Sequence, residues 1–456
     1  MKHSINYNND LELNEYTSLL KPKARKRRGC SKPCILKYGL LALGITSIIT
    51  SITWLAVDET TNFQCKLSYT YPDSYNNLTL TYSTFFDYKL NYVEIENTKS
   101  TNDPLILKPT TTSFYTYNLI PRYIHRVNFT NLKYDSLYRY RLNIGLFETR
   151  NYQFKIPQKN KREWNVLMYG DMGLVGHTAL KYIKKRIFNT NIDFFLHLGD
   201  IAYNLEEFFG VVGDWYLTIL EPISSIIPYM TVAGNHEQYN NFTNYYNRFT
   251  MPERNIYNNL WYSLDMPPIK FINMNSESFY YSFQTPTINN LINYLNNTLM
   301  ELNRSIFPWV IVSAHRPMYC SSDNKDDCTH WKSDKLRISL ENMFHKNNVT
   351  IYMSAHEHSY ERICPVFNGI CQKESKRNKT FFYNNLKNTI HIVNGGSGNR
   401  EGNSGFISVP ESWSILRNMD KSYGVLFANY SYLNWTAYGI ENNREVVIDS
   451  IDIIKN

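Results

Sequence analysis

From Trp164 onward, short apolar segments alternate with segments of helical pattern, and five of the apolar segments end in residues that can bind a metal ion. This alternation is typical of a layered α/β domain. Strand ends share one edge of a sheet, which is where open α/β folds have their sites. One such ending would be coincidence, but five indicate a shared site. The candidate ligands are Asp171, Asp200, Tyr203, Asn235, His315, His356 and His358.

The chemistry of these side chains indicates two metal ions of different character. Asp171, Asp200 and Tyr203 offer hard oxygen donors, and with one imidazole they form a set suited to iron(III). A tyrosine, whose pKa is about 10, serves as a phenolate only beside such a strong Lewis acid. Asp200 can bridge to a second ion, and Asn235 with two further imidazoles suits zinc, manganese or iron(II). Two ions about 3.5–4 Å apart can activate hydroxide and neutralise a phosphoryl group.

The segments that carry these residues resemble those of the purple acid phosphatases, within the metallophosphoesterase superfamily. The likeness includes residues 199–203, 234–237, 315–320 and 356–362, and it is nearest to the animal, type-7-like branch. It implies a four-layer α/β/β/α metallophosphoesterase domain and hydrolysis of phosphomonoesters by attack of metal-bound hydroxide, with an acidic optimum. Small-molecule phosphate esters or phosphoproteins would be the substrates, and a homodimer is compatible with the likeness.

The resemblance also assigns each candidate ligand to one of the two ions. Iron(III) would be held by Asp171, Asp200, Tyr203 and His358. The divalent ion would be held by Asp200, Asn235, His315 and His356.

Other residues are candidates for contact with the substrate. Plant members of the family carry substrate-facing histidines soon after the position of His315, where this chain has a polar loop. His330 could take that place. His236, beside Asn235, is the better candidate for phosphate contact or for protonation of the leaving group. Arg316 could pair with a phosphate oxygen or be held by an acidic side chain.

Two other functions stay open at this point. The same metal pair could cleave phosphodiesters or pyrophosphates, because the motifs locate the chemistry and leave the leaving group undefined. The non-enzymatic alternative is a catalytically silent, membrane-anchored scaffold of the same fold. Silent relatives usually lose ligands, and none of the family's ligand positions is missing from this sequence.

Residues 63–158 alternate apolar and polar side chains over short runs that are separated by polar turns. This pattern, without a helical stretch, predicts a small β-sandwich. Residues 127–140 resemble the late strands of a fibronectin type III domain. In this interpretation the sandwich has no catalytic residues and precedes a catalytic domain over residues 161–456.

The N-terminal segment predicts a membrane anchor. Residues 1–34 are polar and Asn-rich and are interpreted as a disordered cytosolic tail. From Tyr38 to Val57 the chain has no charged residue, which is long enough to cross a bilayer, so residues 35–57 are predicted to be a transmembrane helix. The basic cluster before it predicts a type II topology, with the remainder luminal or extracellular in the secretory pathway. The alternative is a cleaved signal peptide and a secreted protein.

Charge and cysteine usage are consistent with that topology. The net charge of +8 is concentrated in residues 1–38, so the folded part is nearly neutral and gives no support to nucleic-acid binding. Cys320 with Cys328, and Cys364 with Cys371, bracket short loops and are plausible disulfides of an oxidising compartment. Cys65 is left over. N-glycosylation sequons also occur only after the predicted anchor.

Overall fold

The computed structural model describes residues 63–281, 285–323, 328, 331–372, 375–377, 380–384 and 386–455. All of these belong to one unit, Asn62–Asn456. The predicted tail, the predicted anchor and His330 lie outside the described residues. Within the described part, no helix has the length and apolar character needed to span a bilayer.

The first part of the described chain is all-β, as the alternation of its side chains predicts. Its strands are β1 (Lys66–Tyr71), β2 (Ser74–Thr84), β3 (Asn91–Asn97), β4 (Leu105–Leu107), β5 (Thr110–Thr116), β6 (Ile120–Phe129), β7 (Ser136–Ile144), β8 (Phe147–Glu148) and β9 (Tyr152–Ile156). One sheet has the order β1-β2-β6-β5, and the other has the order β4-β3-β7-β8 with β9 beside β7. The sheets face each other, since Phe129 of β6 contacts Tyr140 of β7, with ring centroids 5.7 Å apart. The likeness to a fibronectin type III domain, and the domain boundaries, stay predictions.

A first central sheet follows, with the order β14-β12-β10-β25-β26-β27-β22-β21. Its strands are β10 (Trp164–Tyr169), β12 (Phe194–His197), β14 (Tyr229–Thr231), β21 (Ser375–Arg377), β22 (Thr380–Asn384), β25 (Lys421–Ala428), β26 (Tyr432–Glu441) and β27 (Arg444–Ile454). The strands β10, β12 and β14 run parallel. The strands β11 (Met172–Gly173) and β13 (Ile201–Ala202) form a separate two-stranded parallel sheet. In the sequence, β11 follows β10 and β13 follows β12.

The second central sheet has the order β15-β16-β17-β18-β23-β19-β20, with β24 paired to β19. Its strands are β15 (Trp261–Met266), β16 (Ile269–Met274), β17 (Trp309–Ser313), β18 (Ile351–Ser354), β19 (Tyr360–Phe367), β20 (Ile370–Cys371), β23 (Thr389–Asn394) and β24 (Ser414–Asn418). The strands from β16 through β23 in this order are parallel.

The helices connect these strands. They are α1 (Leu180–Asn189), α2 (Val211–Ser224), α3 (Tyr239–Arg248), α4 (Arg254–Tyr257), α5 (Thr285–Met300) and α6 (Trp331–Lys346), with short 3-10 turns at Phe208–Gly210, Asn235–Glu237 and Ser276–Phe279.

The two central sheets pack face to face. Phe194 of β12 contacts Phe271 of β16, with ring centroids 5.4 Å apart. His197, three residues further along β12, points to the opposite face, where its ring lies 6.2 Å from that of Tyr216 in α2. Because side chains alternate along a strand, β12 is buried on both faces, between the second sheet and a helix.

The outer faces of both central sheets are covered by helices. Ile272 of β16 shares a core cluster with Leu295 of α5 and Leu340 of α6. On the other side, Arg186 of α1 donates to the hydroxyl of Tyr423 in β25 at 3.2 Å. The order of layers is therefore α/β/β/α, as the resemblance implies.

Both predicted disulfides are confirmed. Cys320 is bonded to Cys328, and Cys364 to Cys371. Cys65 is a free thiol, and it is fully buried next to β1. It is therefore not accessible for an intermolecular bond in this fold.

Candidate metal centre

The predicted ligands lie at the carboxyl ends of strands from both central sheets. Asp171, Asp200 and Asn235 follow β10, β12 and β14 of the first sheet, whereas His315 and His356 follow β17 and β18 of the second. The expectation that one sheet edge carries the whole set is wrong. Periodicity shows where each strand ends, but it does not show which strands pair. The site lies where the carboxyl edges of two stacked sheets meet.

Several of these residues adopt a backbone conformation that non-glycine residues rarely use. The φ angles of Asp171, Asp200 and Tyr203 are 56°, 55° and 55°, and that of His356 is 72°. Such left-handed conformations cost free energy and persist where the surrounding structure requires them, often at functional sites. They turn the chain sharply as it leaves each strand.

One group of donors surrounds the hydroxyl of Tyr203. This oxygen lies 3.0 Å from Oδ1 of Asp171 and 2.8 Å from Nε2 of His358. The same nitrogen of His358 lies 3.7 Å from Oδ1 of Asp171. A phenol, a carboxylate and an imidazole from three separate loops thus converge on one point.

A second group surrounds His315. Its Nε2 lies 3.2 Å from Oδ2 of Asp200, 3.1 Å from Oδ1 of Asn235 and 3.1 Å from Nδ1 of His356. The ligand-type atoms of Asp200, His315 and His356 lie within 4.8 Å of one another. The two groups adjoin, because the main-chain N–H of His356 donates to Oδ2 of Asp171 at 2.8 Å.

Each imidazole is oriented by a contact of its other ring nitrogen. Nδ1 of His315 hydrogen-bonds the carbonyl of Leu198 at 2.8 Å, and Nδ1 of His358 hydrogen-bonds the carbonyl of Gly402 at 3.0 Å. For His356 the order is reversed, since Nη1 of Arg316 lies 3.0 Å from Nε2. The ring nitrogens that face the site are therefore Nε2 of His315, Nε2 of His358 and Nδ1 of His356. Outer contacts of this kind fix the tautomer and ring orientation of metal-binding histidines.

Two glycines make room for the carboxylates. A Cβ on Gly234 would lie 2.3 Å from Oδ1 of Asp200, and one on Gly395 would lie 2.5 Å from Oδ2 of Asp171. Both distances are far below a van der Waals contact. The close approach of backbone and ligand at these positions therefore requires glycine.

The cluster is short of positive charge. Asp171 and Asp200 are at most 1% exposed, and no Lys or Arg in the described part of the chain forms an ion pair with either. Burial raises the pKa of Asp171 well above its usual value, and burial, Asp171 and Asp200 together raise that of Tyr203. Although burial opposes it, Asp200 raises the pKa of His315 to about 10. A bound cation would supply the missing charge, so the donor set fits metal ions.

Two supporting residues carried no role in the sequence-based interpretation. The carboxylate of Glu237 is 1% exposed and accepts from the main-chain N–H groups of Asp200, Ile201 and Gly234 at 2.9, 2.7 and 2.8 Å. It therefore ties together the loops after β12 and β14. The sequence signal for this role of Glu237 is its position directly after Gly234-Asn235-His236.

Asn399 supports the tyrosine from a distant part of the sequence. Its side-chain N–H donates to the hydroxyl of Tyr203 at 3.0 Å and to the main-chain carbonyl of Asp171 at 3.2 Å. It lies in the glycine-rich stretch of residues 395–402, where the sequence-based interpretation gave no residue a role.

The residues predicted to contact the substrate lie in different surroundings. His236 is beside the cluster, with Nε2 3.7 Å from Oδ2 of Asp200 and its ring 4.3 Å from that of Tyr203. Nε of Arg316 donates to both carboxylate oxygens of Glu277 at 2.9 Å, so the acidic partner that the sequence left open is present. Contact of Arg316 with a substrate stays a prediction.

Comparisons with known proteins agree with this geometry. A model of the calcineurin-like phosphoesterases matches residues 165–360, and a model described as iron/zinc purple acid phosphatase-like protein C matches residues 388–450. The solved structure of purple acid phosphatase PPD1 from yellow lupin seeds has a TM-score of 0.72 and 23% identity, over 86% of this chain and 74% of that one. The fold and the site therefore define a metallophosphoesterase.

Curated relatives are more specific. Human acid phosphatase type 7 is 32% identical over 403 residues, which cover 84% of this chain and 89% of the human protein. Probable inactive purple acid phosphatase 1 of Arabidopsis thaliana is 30% identical over 344 residues, 67% of this chain and 53% of that protein. The chain belongs to the purple acid phosphatase family and is an enzyme of the acid phosphatase class. The family implies a dinuclear metal centre that contains iron.

Proposed function

We propose that this protein hydrolyses phosphomonoesters at a centre of iron(III) and a divalent zinc, manganese or iron ion. The observation that carries the proposal is the position of the Tyr203 hydroxyl, within 3.0 Å of both Asp171 and His358. A buried tyrosine among carboxylates is a poor phenolate by itself, but iron(III) favours this donor set. Asp171, Asp200, Tyr203 and His358 would hold iron(III), and Asp200, Asn235, His315 and His356 would hold the divalent ion.

When bound, the two ions would supply Lewis acidity that activates a water molecule and neutralises the phosphoryl group. The chain itself fixes the geometry. The main-chain N–H of His236 donates to Oδ1 of Asp200 at 2.9 Å, and Glu237 accepts from the N–H of Asp200, so this carboxylate is held from both sides. The His236 side chain is 17% exposed, with Nε2 3.7 Å from Oδ2 of Asp200, and it would protonate the leaving alcohol.

The proposal is tested on the purified full-length protein by metal analysis, visible spectroscopy and phosphate release. We expect iron and a second metal, a visible absorption band from tyrosinate to iron, and activity on phosphomonoesters. Tyr203→Phe should lose the band. The control is Tyr438→Phe, which should keep it, because the Tyr438 ring packs against Arg186 of α1, 4.1 Å from its guanidinium carbon. Asp200→Ala should lose both metal and turnover. Full activity of Asp200→Ala would refute the assignment.

The same experiment separates the two alternatives. Faster hydrolysis of phosphodiesters or pyrophosphates than of monoesters would favour the phosphodiesterase or pyrophosphatase function. A correctly folded protein without bound metal and without turnover would favour a silent scaffold, as the name of the Arabidopsis relative illustrates for that protein.

We propose a secretory-pathway location for the catalytic part. The two disulfides support an oxidising compartment. Four asparagines of predicted glycosylation sequons are exposed, namely Asn128, Asn241, Asn303 and Asn348. Removal of N-glycans from protein made in eukaryotic cells should increase its electrophoretic mobility. Protease protection of the catalytic part in intact microsomes tests the type II topology, and an unprotected catalytic part would contradict it.

A further inference from the structure

A cleft of about 560 Å³ opens beside the candidate metal centre. It begins at Asn235 and His236, and Nε2 of His236 is 3.7 Å from Oδ2 of Asp200. A phosphate held at the centre would therefore direct the rest of its ester into this cleft. The other lining residues are Asn204, Glu206, Gln238, Tyr239, Asn240 and Asn241.

Glu206 contributes a carboxyl group to the lining of this cleft. The residue is 8% exposed. Among the described residues, its carboxylate forms no ion pair and no hydrogen bond with another side chain. The nearby Arg248 forms its ion pair with Asp214 instead, with Nη1 2.7 Å from Oδ1. By contrast, the adjacent Glu207 is paired with Arg400. Burial raises the pKa of Glu206, although a hydrogen bond from its own main-chain N–H and the charges of His236 and Arg248 oppose this rise.

An aromatic cluster borders the same cleft through Tyr239. The ring of Tyr239 lies 5.0 Å from that of Tyr117, and Tyr117 lies 5.9 Å from Phe209. Tyr117 comes from the turn between β5 and β6 of the sandwich, and burial and the charge of Glu206 raise the pKa of its phenol. Aromatic faces and an unpaired carboxylate together attract an organic cation.

We propose that this cleft binds the alcohol part of the substrate, and that Glu206 selects phosphate esters whose alcohol carries an ammonium group. The inference rests on the proposed phosphatase function and names its substrate class. The ammonium group would pair with Glu206 beside the rings of Tyr239 and Tyr117, while His236 is close enough to protonate the departing oxygen. An unpaired buried carboxylate gains more from a cation than from a neutral group of the same shape.

The test compares two esters of equal shape, 2-aminoethyl phosphate and propyl phosphate. We expect the metal-loaded, full-length enzyme to show kcat/KM about tenfold or more higher for 2-aminoethyl phosphate, the effect of one close charge pair. Glu206→Gln should lower this ratio by about tenfold or more. The control Glu207→Gln removes the charge of the neighbouring carboxylate, which is paired with Arg400. It should leave the ratio within about twofold.

Both esters are measured on the same enzyme preparation, so a partial loss of folded enzyme lowers both rates equally and leaves their ratio unchanged. Tyr239→Leu provides a second variant and should lower the ratio about two- to fivefold, through the lost cation–π contact. Because Asn241 lines the cleft and is a predicted glycan acceptor, rates are measured on deglycosylated protein.

The outcomes separate the two levels of the argument. Equal hydrolysis of both esters by the wild type, or an equal change of ratio in Glu206→Gln and Glu207→Gln, overturns the role of Glu206 and leaves the phosphatase proposal intact. Failure of metal-loaded enzyme to hydrolyse either ester overturns both.

Discussion

A buried ion cluster joins the β-sandwich to the catalytic part and gives a sharp prediction for stability. Asp214 of α2 lies between two arginines, with Oδ2 2.7 Å from Nη2 of Arg122 in β6 and Oδ1 2.7 Å from Nη1 of Arg248 in α3. Their exposed fractions are 5%, 1% and 0%. Asp214→Asn keeps the shape and removes the charge, which leaves two buried guanidinium groups facing an amide. Breaking a buried pair in this way costs about 3–5 kcal/mol.

The measurement is urea unfolding of full-length protein in detergent, followed by the fluorescence of buried tryptophans such as Trp164 and Trp435. The control is Glu94→Gln, because Glu94 pairs with Arg141, whose side chain is 39% exposed. A pair of that kind contributes about 0–1 kcal/mol. If Asp214→Asn costs no more than Glu94→Gln, the cluster does not stabilise the fold and the reasoning is refuted.

The cluster should also persist at acidic pH. Burial opposes the charge of Asp214, but Arg248 and Arg122 hold its pKa below the usual value. A lowered pKa contributes stability above the unfolded-state value, about 3.9, and this contribution is lost as the pH falls through the folded-state value. The difference in unfolding free energy between wild type and Asp214→Asn should therefore be constant from pH 7 to about pH 5 and shrink below about pH 4. A difference that already disappears at pH 5 would contradict this.

Two further substitutions test the centre itself. Gly234→Ala would place a Cβ 2.3 Å from Oδ1 of Asp200 and should release most of the divalent metal, measured by elemental analysis. The control Gly369→Ala strains a backbone with a φ of +73° but places no heavy atom within 4 Å of the new Cβ, and it should retain the metal. Asn399→Leu removes the donor to the Tyr203 hydroxyl and should move the visible band to longer wavelength with iron retained, because the phenolate loses a stabilising hydrogen bond; an unchanged band would show that this contact does not act on the phenolate.

The candidate ligands named from the sequence lie close together in the structure because each belongs to a loop that follows an apolar strand. This local sequence pattern does not depend on which strands pair with each other. It could not show that His315 and His356 come from a different sheet than Asp171 and Asp200, since strand pairing is a long-range property. The disulfides were foreseen for a similar reason, because each bridge closes a short loop.

Supporting residues were missed where the contact spans a long stretch of chain. Asn399 and Tyr203 are 196 positions apart, and nothing near Asn399 in the sequence indicates a tyrosine partner. Glu277 reaches Arg316 across 39 positions, and the sequence could offer only an unspecified acidic partner. Such contacts depend on how two sheets stack, which hydrophobic periodicity does not encode.

The β-sandwich has a larger part in the site than its lack of catalytic motifs suggested. A single hairpin, β5 with β6, provides both Arg122, which anchors α2 and α3 through Asp214, and Tyr117, which packs against Tyr239. Tyr239 begins α3 and lines the cleft, and Arg248, at the other end of the same helix, belongs to the ion cluster. The helix that borders the cleft is thus fixed at both ends by the sandwich. If the cleft binds the alcohol part of the substrate as proposed, this hairpin would influence which alcohol it admits, because Tyr117 packs against Tyr239 at the border of the cleft.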